Sequence, residues 1–318
     1  MAEGLGSDVP SPWSGTALTW KKLNMLQYLK QARAAVSLLN PDEVRRRAER
    51  RLTVGLVSSD SPAYAEIEDF LAPSAVSHAK RMEVMQYVHR ACDPGIPEKF
   101  DLVLYEQGMP CPASAFTFFR DDPERTISDI LNAREDLGLA LARNFDPFRQ
   151  PVVERTINSV ARENALFAVA SALPNVLPSL LEMPWAIGEF ASDTAFITMN
   201  QVRMAFLVAA ASDQRVGYGE QKVELASILA GAFGWRALAR ELVGFIPLGG
   251  GLIPKGAIAY AATYVLGKGL EHFYGVGYGY TRSQRRDAYQ VAYERGKSVV
   301  GAVLHRQDGS AAKPDANA

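Results

Sequence analysis

One short stretch of the chain has the order of elements that binds phosphate in many proteins. Residues 51–73 read RLTVGLVSSDSPAYAEIEDFLAP, in which an apolar run meets a loop of small residues that leads into a helical pattern. A strand, a tight loop and a helix N-terminus in this order turn backbone N–H groups toward an anion. The phosphate-loop motif GxxxxGK[ST] then requires specific residues, but the chain has Ser58, Ala63, Tyr64 and Ala65 at those four positions.

The side chains that nucleotide hydrolysis needs are also missing around this loop. Tyr64 stands where a lysine would neutralise the phosphates, and Asp60 adds a negative charge beside them. Glu106 and Gly108 do not have the spacing of the Asp-x-x-Gly loop that serves Mg²⁺, and FFRDD at 118–122 lacks the asparagine and lysine that read guanine. We therefore expect that the protein uses no nucleotide or other cofactor and has no enzymatic activity. The alternative is an NTPase with an unorthodox nucleotide site.

The composition and the placement of the reactive residues reduce the number of functional classes to which the protein could belong. The 318-residue chain has a formal net charge of −1, which does not favour nucleic acid as a partner. The four histidines are dispersed, HExxH and GxSxG are absent, and we expect no metal site. Cys92 and Cys111 lack a redox or metal spacing, and residues 1–16 lack the pattern of a signal peptide. These features favour a cytoplasmic protein.

The elements that would position these residues change character near residue 150. Before it, apolar runs alternate with charged helical stretches, which predicts a parallel sheet with crossover helices. After it, every pattern is helical. We expect an α/β plus all-α protein with tails at 1–16 and 306–318, a phosphate-loop-like α/β domain at 17–150 and a helical domain at 151–305. The predicted strands are 52–58, 81–88, 100–110 and 114–120, and the predicted helices include 17–40, 63–71, 122–143, 151–173, 189–212, 254–273 and 281–304.

Two long uncharged or nearly uncharged segments suggest a membrane or a deeply buried core. Residues 164–181 carry no charge, and residues 242–270 carry only Lys255 and Lys268. A bilayer span needs about twenty apolar residues, but prolines and glycines interrupt both segments. We predict a helical hairpin in 242–270, re-entrant in a membrane or buried in protein, with its bend between Gly249 and Pro254. The residues assigned to it are Ile246, Pro247, Gly249, Gly250, Gly251, Pro254, Gly256, Thr263 and Gly267.

The last predicted helix carries an excess of cations. Arg285, Arg286, Arg295 and Lys297 are interleaved with apolar residues at helical spacing, which is typical of a helix that lies on an anionic membrane. The plainer alternative is a surface helix whose cations pair with local acids. The sequence thus predicts a basic face that contacts a membrane peripherally.

The apolar half resembles a known family. The run from ENALFAVASALPNVLPS to FIPLGGGLIPKGAIAYAATYVLGKGLEHFY is similar to the YcjF-type, GTPase-associated membrane domain of unknown function. The resemblance implies that residues 17–150 are a Ras/Era-like GTPase domain whose motifs have been lost. The positions that carry it are Asn164, Pro174, Pro178, Ile246, Pro247, Gly249, Gly256, Thr263, Leu266, Gly267 and Tyr274.

The resemblance implies a role rather than a reaction. We expect a pseudo-GTPase-like scaffold or interaction protein on the cytoplasmic side of a bacterial inner membrane, with an unidentified protein partner. Two alternatives stay open: the NTPase with an unorthodox site, and a soluble two-domain protein, located in the cytoplasm, whose helical core is buried. An ordered nucleotide would favour the first, and a fully buried 242–270 segment the second.

Overall fold

The computed structural model describes residues 36–37, 39–91, 93–95, 97–171, 193–229 and 251–311. Within them the chain is mixed α/β in its first part and helical in its second. The elements are α1 (Pro41–Ala48), β1 (Val54–Val57), α2 (Ser61–Leu71), α3 (His78–Met85), β2 (Val88–Arg90), β3 (Leu102–Glu106), β4 (Phe116–Phe118), α4 (Pro123–Ala133), a 3₁₀ turn (Glu135–Leu137), α5 (Gly138–Asn144), α6 (Asp146–Ala170), α7 (Asp193–Ala211), α8 (222–229), α9 (Leu252–Val276) and α10 (Arg282–Ala311).

The four strands form one parallel sheet in the order β2-β1-β3-β4. In its centre Val54 pairs with Leu102, and Leu56 pairs with Leu104. The apolar runs are short and buried because helices cover such sheets. The predicted parallel sheet is therefore confirmed, whereas the identity of its first loop as a phosphate loop is not settled by topology.

Side-chain caps explain where several of the helices begin. Asn40 Oδ1 accepts from the Asp42 N–H at the start of α1, and Asp60 Oδ1 accepts from the Ala63 N–H, 2.9 Å away, at the start of α2. Asp122 caps α4 in the same way through the Arg125 N–H. A carboxylate or amide at this position satisfies a backbone donor that the helix leaves open.

The predicted strand at 81–88 is wrong. Most of this segment belongs to α3, and β2 begins only at Val88. Ser77 Oγ accepts from the Lys80 N–H and starts the helix, and the apolar alternation does not correspond to a buried face because Met82 is 58% exposed. Val84 and Val88, four residues apart, are the buried pair.

The helix predicted at 122–143 is also wrong as a single element. It ends at Ala133, and a 3₁₀ turn leads into α5. The Arg134 backbone leaves the helical region, while its guanidinium donates to the Asp101 carbonyl and pairs with the Asp136 carboxylate 3.0 Å away. A tertiary contact to the sheet thus replaces the local helical hydrogen bonds.

One large core joins the sheet to the helices that follow it. Leu56 and Leu104 of the sheet belong to the same buried cluster as Ile157 of α6, Phe206 of α7 and Leu270 of α9. The domain boundary predicted between 150 and 151 falls inside α6. The division into two domains stays a prediction.

The predicted hairpin in 242–270 lies only partly within the described residues. Its first arm, 242–250, lies outside them; its second arm is α9, which begins at Leu252 directly after Gly251. A different helical hairpin is present, in which α9 turns into α10 through Gly277 at φ 86°. Among the described helices, none has both the length and the apolar composition needed to cross a bilayer.

Candidate functional site

The first candidate site lies at the carboxyl ends of β1 and β3. The chain leaves β1 to build β2 on one side and then crosses to β3 on the other, so the strand order reverses there. Open α/β sheets bind ligands at such a reversal. Ser58 and Ser59 follow β1, and Glu106 is the last residue of β3, so these three side chains stand at this position.

The Glu106 carboxylate fills the loop that follows β1. One oxygen, Oε2, accepts hydrogen bonds from Ser58 Oγ at 2.8 Å, from the Ser59 backbone N–H at 2.8 Å and from Ser59 Oγ at 2.7 Å. These three hydrogen bonds lower the pKa of Glu106 below its ordinary value, and the bond from the Ser59 N–H has the largest effect. The protein thus places its own anion against the N–H group that a phosphate loop offers to a ligand.

The next part of the loop is also satisfied internally. Asp60 Oδ1 accepts from the Ala63 N–H at 2.9 Å, and Ser58 Oγ lies 3.5 Å from the Asp60 carbonyl. A phosphate at this helix N-terminus would meet two carboxylates, Asp60 and Glu106. Like charges repel, and no lysine stands in the loop to offset them.

The four degenerate motif positions do different things in the fold. Ser58 takes part in the Glu106 contact, Ala63 is buried, and Ala65 is exposed. Tyr64, in the lysine position, is buried with the Arg90 guanidinium 5.3 Å from its ring centre, and Arg90 also pairs with Glu68. Tyr64 belongs to the main buried core, so it is a packing residue.

The contact between Glu106 and the loop after β1 is not evident from the sequence. The spacing of Glu106 excluded an Asp-x-x-Gly loop, but the contact it makes joins residues 47 positions apart in the chain. Only the pairing of β1 with β3, Val57 opposite Tyr105, brings the two strand ends together. The signal that could have found it is a carboxylate at the end of a strand adjacent to a strand that ends in two serines.

A second cluster joins the helices α6, α7 and α9 through buried amides. Asn164 Nδ2 donates to Thr263 Oγ1 at 2.9 Å, and Asn200 Nδ2 donates to Asn164 Oδ1 at 2.9 Å. Gln201 Nε2 lies 3.4 Å from the same threonine hydroxyl. The structure thus brings together Asn164 and Thr263, two positions that carried the resemblance, and adds Asn200 and Gln201, which the sequence did not single out.

The glycines assigned to the hairpin permit close helix packing. A Cβ on Gly256 would lie 2.6 Å from Val300 Cγ2 of α10, and one on Gly267 would lie 2.7 Å from Ile157 Cγ1 of α6. Both distances are shorter than real side chains tolerate, so only glycine fits. Gly251 precedes α9 and Pro254 lies in its first turn, whereas Ile246, Pro247, Gly249 and Gly250 are outside the described residues.

The other positions of the resemblance have structural roles where they are described. Tyr274 donates to Glu224 Oε1 at 3.1 Å, linking α9 to α8, and Leu266 packs against the main core. The pKa of Tyr274 is raised far above its ordinary value, mainly because the hydroxyl is buried and secondly because of the Glu224 charge. Pro174 and Pro178 lie outside the described residues.

The four cations of the predicted basic face have different surroundings. Arg285 and Arg286 are exposed near the start of α10. Arg295 donates to the Tyr264 hydroxyl at 3.3 Å and lies over that ring, and Lys297 pairs with Glu294 at 2.6 Å. The fold therefore leaves the first two available to a partner and engages the last two within the protein.

Within the described ranges, no three His, Cys, Asp or Glu side chains are grouped so that they could hold a metal ion. Comparison with protein-family models, curated proteins and solved structures finds no significant match to this chain.

Proposed function

We propose that this protein is a non-catalytic scaffold in which a pseudo-GTPase-like α/β part is joined to a membrane-associating helical part, on the cytoplasmic side of a bacterial inner membrane. The observation that carries the proposal is the Glu106 carboxylate, which occupies the donors of the loop after β1. The helical part and the resemblance to the YcjF-type domain support the membrane assignment. An unidentified protein is the partner that a scaffold requires.

The occupied loop argues against nucleotide binding on energetic grounds. A triphosphate would have to break the Ser59–Glu106 hydrogen bonds and then stand beside the freed carboxylate. Charge-assisted hydrogen bonds of this kind are stronger than neutral ones. In an NTPase the compensating attraction comes from a lysine and Mg²⁺, and Tyr64 occupies the lysine position.

Calorimetric titration tests the pseudoenzyme part of the proposal. We expect Mg²⁺–GTP and Mg²⁺–ATP to bind the wild-type protein with a Kd far weaker than about 1 μM, the value that corresponds to roughly −8 kcal/mol. Glu106→Gln, which removes the charge and keeps the shape, should bind weakly as well, because the lysine is still missing. A wild-type Kd at or below the micromolar range would replace the scaffold with an NTPase.

A second candidate is a soluble structural protein with a buried helical core. It is favoured by α9, whose residues Tyr260, Ala261 and Thr263 are buried against α6 and α10 instead of being offered to lipid. Fractionation of cells into soluble and membrane pools separates the two candidates. Recovery only in the soluble pool would favour the structural protein, and recovery with membranes the scaffold.

A further inference from the structure

The turn between α9 and α10 exposes apolar and aromatic side chains. Val276 is 51% exposed and Tyr278 is 62% exposed. Tyr280 follows them and is half-buried. Single exposed apolar residues are ordinary, but here two of them lie within three positions of the chain at the end of a hairpin.

The shape of this turn is fixed by local contacts. The His272 ring lies 5.2 Å from the Tyr278 ring, edge to face, and 5.0 Å from the Tyr280 ring. Thr281 and Gln284 form a capping box: the Thr281 N–H donates to Gln284 Oε1 at 2.8 Å, and the Gln284 N–H donates to Thr281 Oγ1 at 3.3 Å. The aromatic rings are therefore held in place by packing and capping.

Three exposed arginines follow the aromatic residues in the chain. Arg282, Arg285 and Arg286 occupy the first turns of α10, and among the described residues none of them forms an ion pair. The exposed Asp287 is the acid closest to them in sequence, which leaves a local excess of positive charge. Arg295 and Lys297, in contrast, are engaged with Tyr264 and Glu294.

We propose that this turn, hereafter the aromatic tip (Val276, Tyr278, Tyr280, Arg282, Arg285 and Arg286), is the surface that contacts an anionic lipid bilayer. Tyrosine rings suit the bilayer interface, with an apolar body and a wet hydroxyl. Guanidinium groups bind lipid phosphates through paired hydrogen bonds. The inference rests on the membrane association in the proposed function and assigns it to a defined surface.

Charge complementarity selects lipid as the occupant of the aromatic tip. The chain is nearly neutral, with a formal charge of −1, so attraction to an anionic surface has to come from a local group of cations. The tip combines that group with apolar side chains that a headgroup layer can bury. The length of α10 places its paired cations further from the turn, which predicts that they contribute little.

Vesicle flotation of the full-length protein tests the assignment. Wild type should float with phosphatidylcholine vesicles that contain phosphatidylglycerol and not with phosphatidylcholine alone. Replacing Arg282, Arg285 and Arg286 with Gln should weaken binding about 100-fold, since each cation near an anionic leaflet contributes roughly a factor of five. The matched control replaces three exposed arginines of α1, Arg45, Arg46 and Arg47, and should float like wild type.

The apolar part of the tip has its own variants. Val276→Ser with Tyr278→Ser should reduce flotation while the arginines remain, and Tyr278→Phe should retain it. An environment-sensitive NBD label on Tyr278→Cys, with Cys92 and Cys111 replaced by Ser, should brighten when anionic vesicles are added. A label that does not respond would show that the tip stays in water and would overturn the proposal.

The remaining outcomes separate this inference from the proposed function. If wild type floats and the arginine variant of the tip floats equally well, the tip is wrong while membrane association stands. If wild type floats with neither vesicle, membrane association and the tip both fail. If the α1 control loses as much binding as the tip variant, the assignment of the tip to lipid is overturned. The same holds if the protein instead retards RNA in a mobility assay and this depends on the tip arginines.

Discussion

Asn164 on α6 and Thr263 on α9 are joined by a hydrogen bond of 2.9 Å between Asn164 Nδ2 and the threonine hydroxyl, and both side chains are fully buried. Asn200 of α7 donates to the other end of the Asn164 amide. A buried amide without partners costs free energy, and the observed alignment of the three helices gives both ends of the Asn164 amide a partner. The residues that suggested a membrane domain thus define helix register inside the protein.

Removing the threonine hydroxyl is expected to destabilise the protein. Thr263→Val keeps the shape of the side chain but leaves Asn164 Nδ2 without its acceptor, which should lower the free energy of unfolding by about 1–3 kcal/mol. Thr263→Ser retains the hydroxyl and should lose less. Urea unfolding, monitored by circular dichroism, measures the free energy of unfolding of both variants. A Thr263→Val protein as stable as wild type would contradict the role of the network.

Two glycines of α9 should respond in opposite ways to alanine. At Gly267 the new Cβ would lie 2.7 Å from Ile157, and such overpacking typically costs about 1–3 kcal/mol. At Gly269, two residues along, a Cβ would meet nothing within 4 Å, so Gly269→Ala should stabilise by about 0.5–1 kcal/mol through helix propensity. Thermal unfolding of the two variants gives the comparison, and equal shifts would rule out the close packing of α6 on α9.

The sequence predicted the elements whose signals are local. The apolar run ended by Gly108 and Pro110 predicted β3, and Asn40 before Pro41 predicted the start of α1; both elements are present. The segment at 81–88 failed because alternation of apolar residues imitates a strand when only one of them, Val84, faces the core before β2. Spacing alone does not show which apolar side chains are covered.

The contacts of the candidate site depend on residues that are far apart in the chain. Glu106 reaches Ser59 only after two strands pair, and Asn164 reaches Thr263 only after α6 packs on α9, a separation of 99 positions. Such contacts depend on the tertiary arrangement, which residue types and local spacing leave open. The spacing of Glu106 and Gly108 excludes an Asp-x-x-Gly loop, but it does not predict that Glu106 is the internal anion of the loop after β1.

Glu106 should hold the loop after β1 in place. Replacing it with Ala removes the acceptor of the Ser59 N–H, so amide hydrogen exchange in the segment around Ser59 should become faster. The exposed Glu98, changed to Ala, provides the control and should leave that exchange unchanged. In wild type, the side-chain carbon signal of Glu106 should titrate at a pKa below the ordinary 4.5, and a normal or raised value would contradict the hydrogen bonds described.

The ionic cluster around Glu154 joins α6 to α9 and gives the protein a defined pH response. Glu154 accepts from Lys268 Nζ at 3.2 Å, from the Tyr264 hydroxyl at 3.0 Å and from Asn158 Nδ2 at 2.8 Å. Burial alone would raise the pKa of Glu154, but these hydrogen bonds and the Lys268 charge outweigh it and lower the pKa below 4.5. Burial would lower the pKa of Lys268, but Glu271 and Glu154 outweigh it and raise the pKa to about 12.

The contribution of this cluster to the free energy of unfolding should therefore be lost at both extremes of pH. The stabilisation from Glu154, whose folded pKa is lowered, is present above its ordinary pKa of 4.5 and disappears as the pH falls through the folded value. The stabilisation from Lys268 is present below its ordinary pKa of 10.5 and disappears as the pH rises through about 12.

Glu154→Gln should be less stable than wild type by about 1–2 kcal/mol near pH 7, a value between those of surface and buried ion pairs. The stabilities of the two proteins should converge in acid. Urea unfolding from acid to neutral pH, with Glu98→Gln as the exposed control, measures the difference; a gap that persists below the pKa of Glu154 would show that the carboxylate charge is not its source.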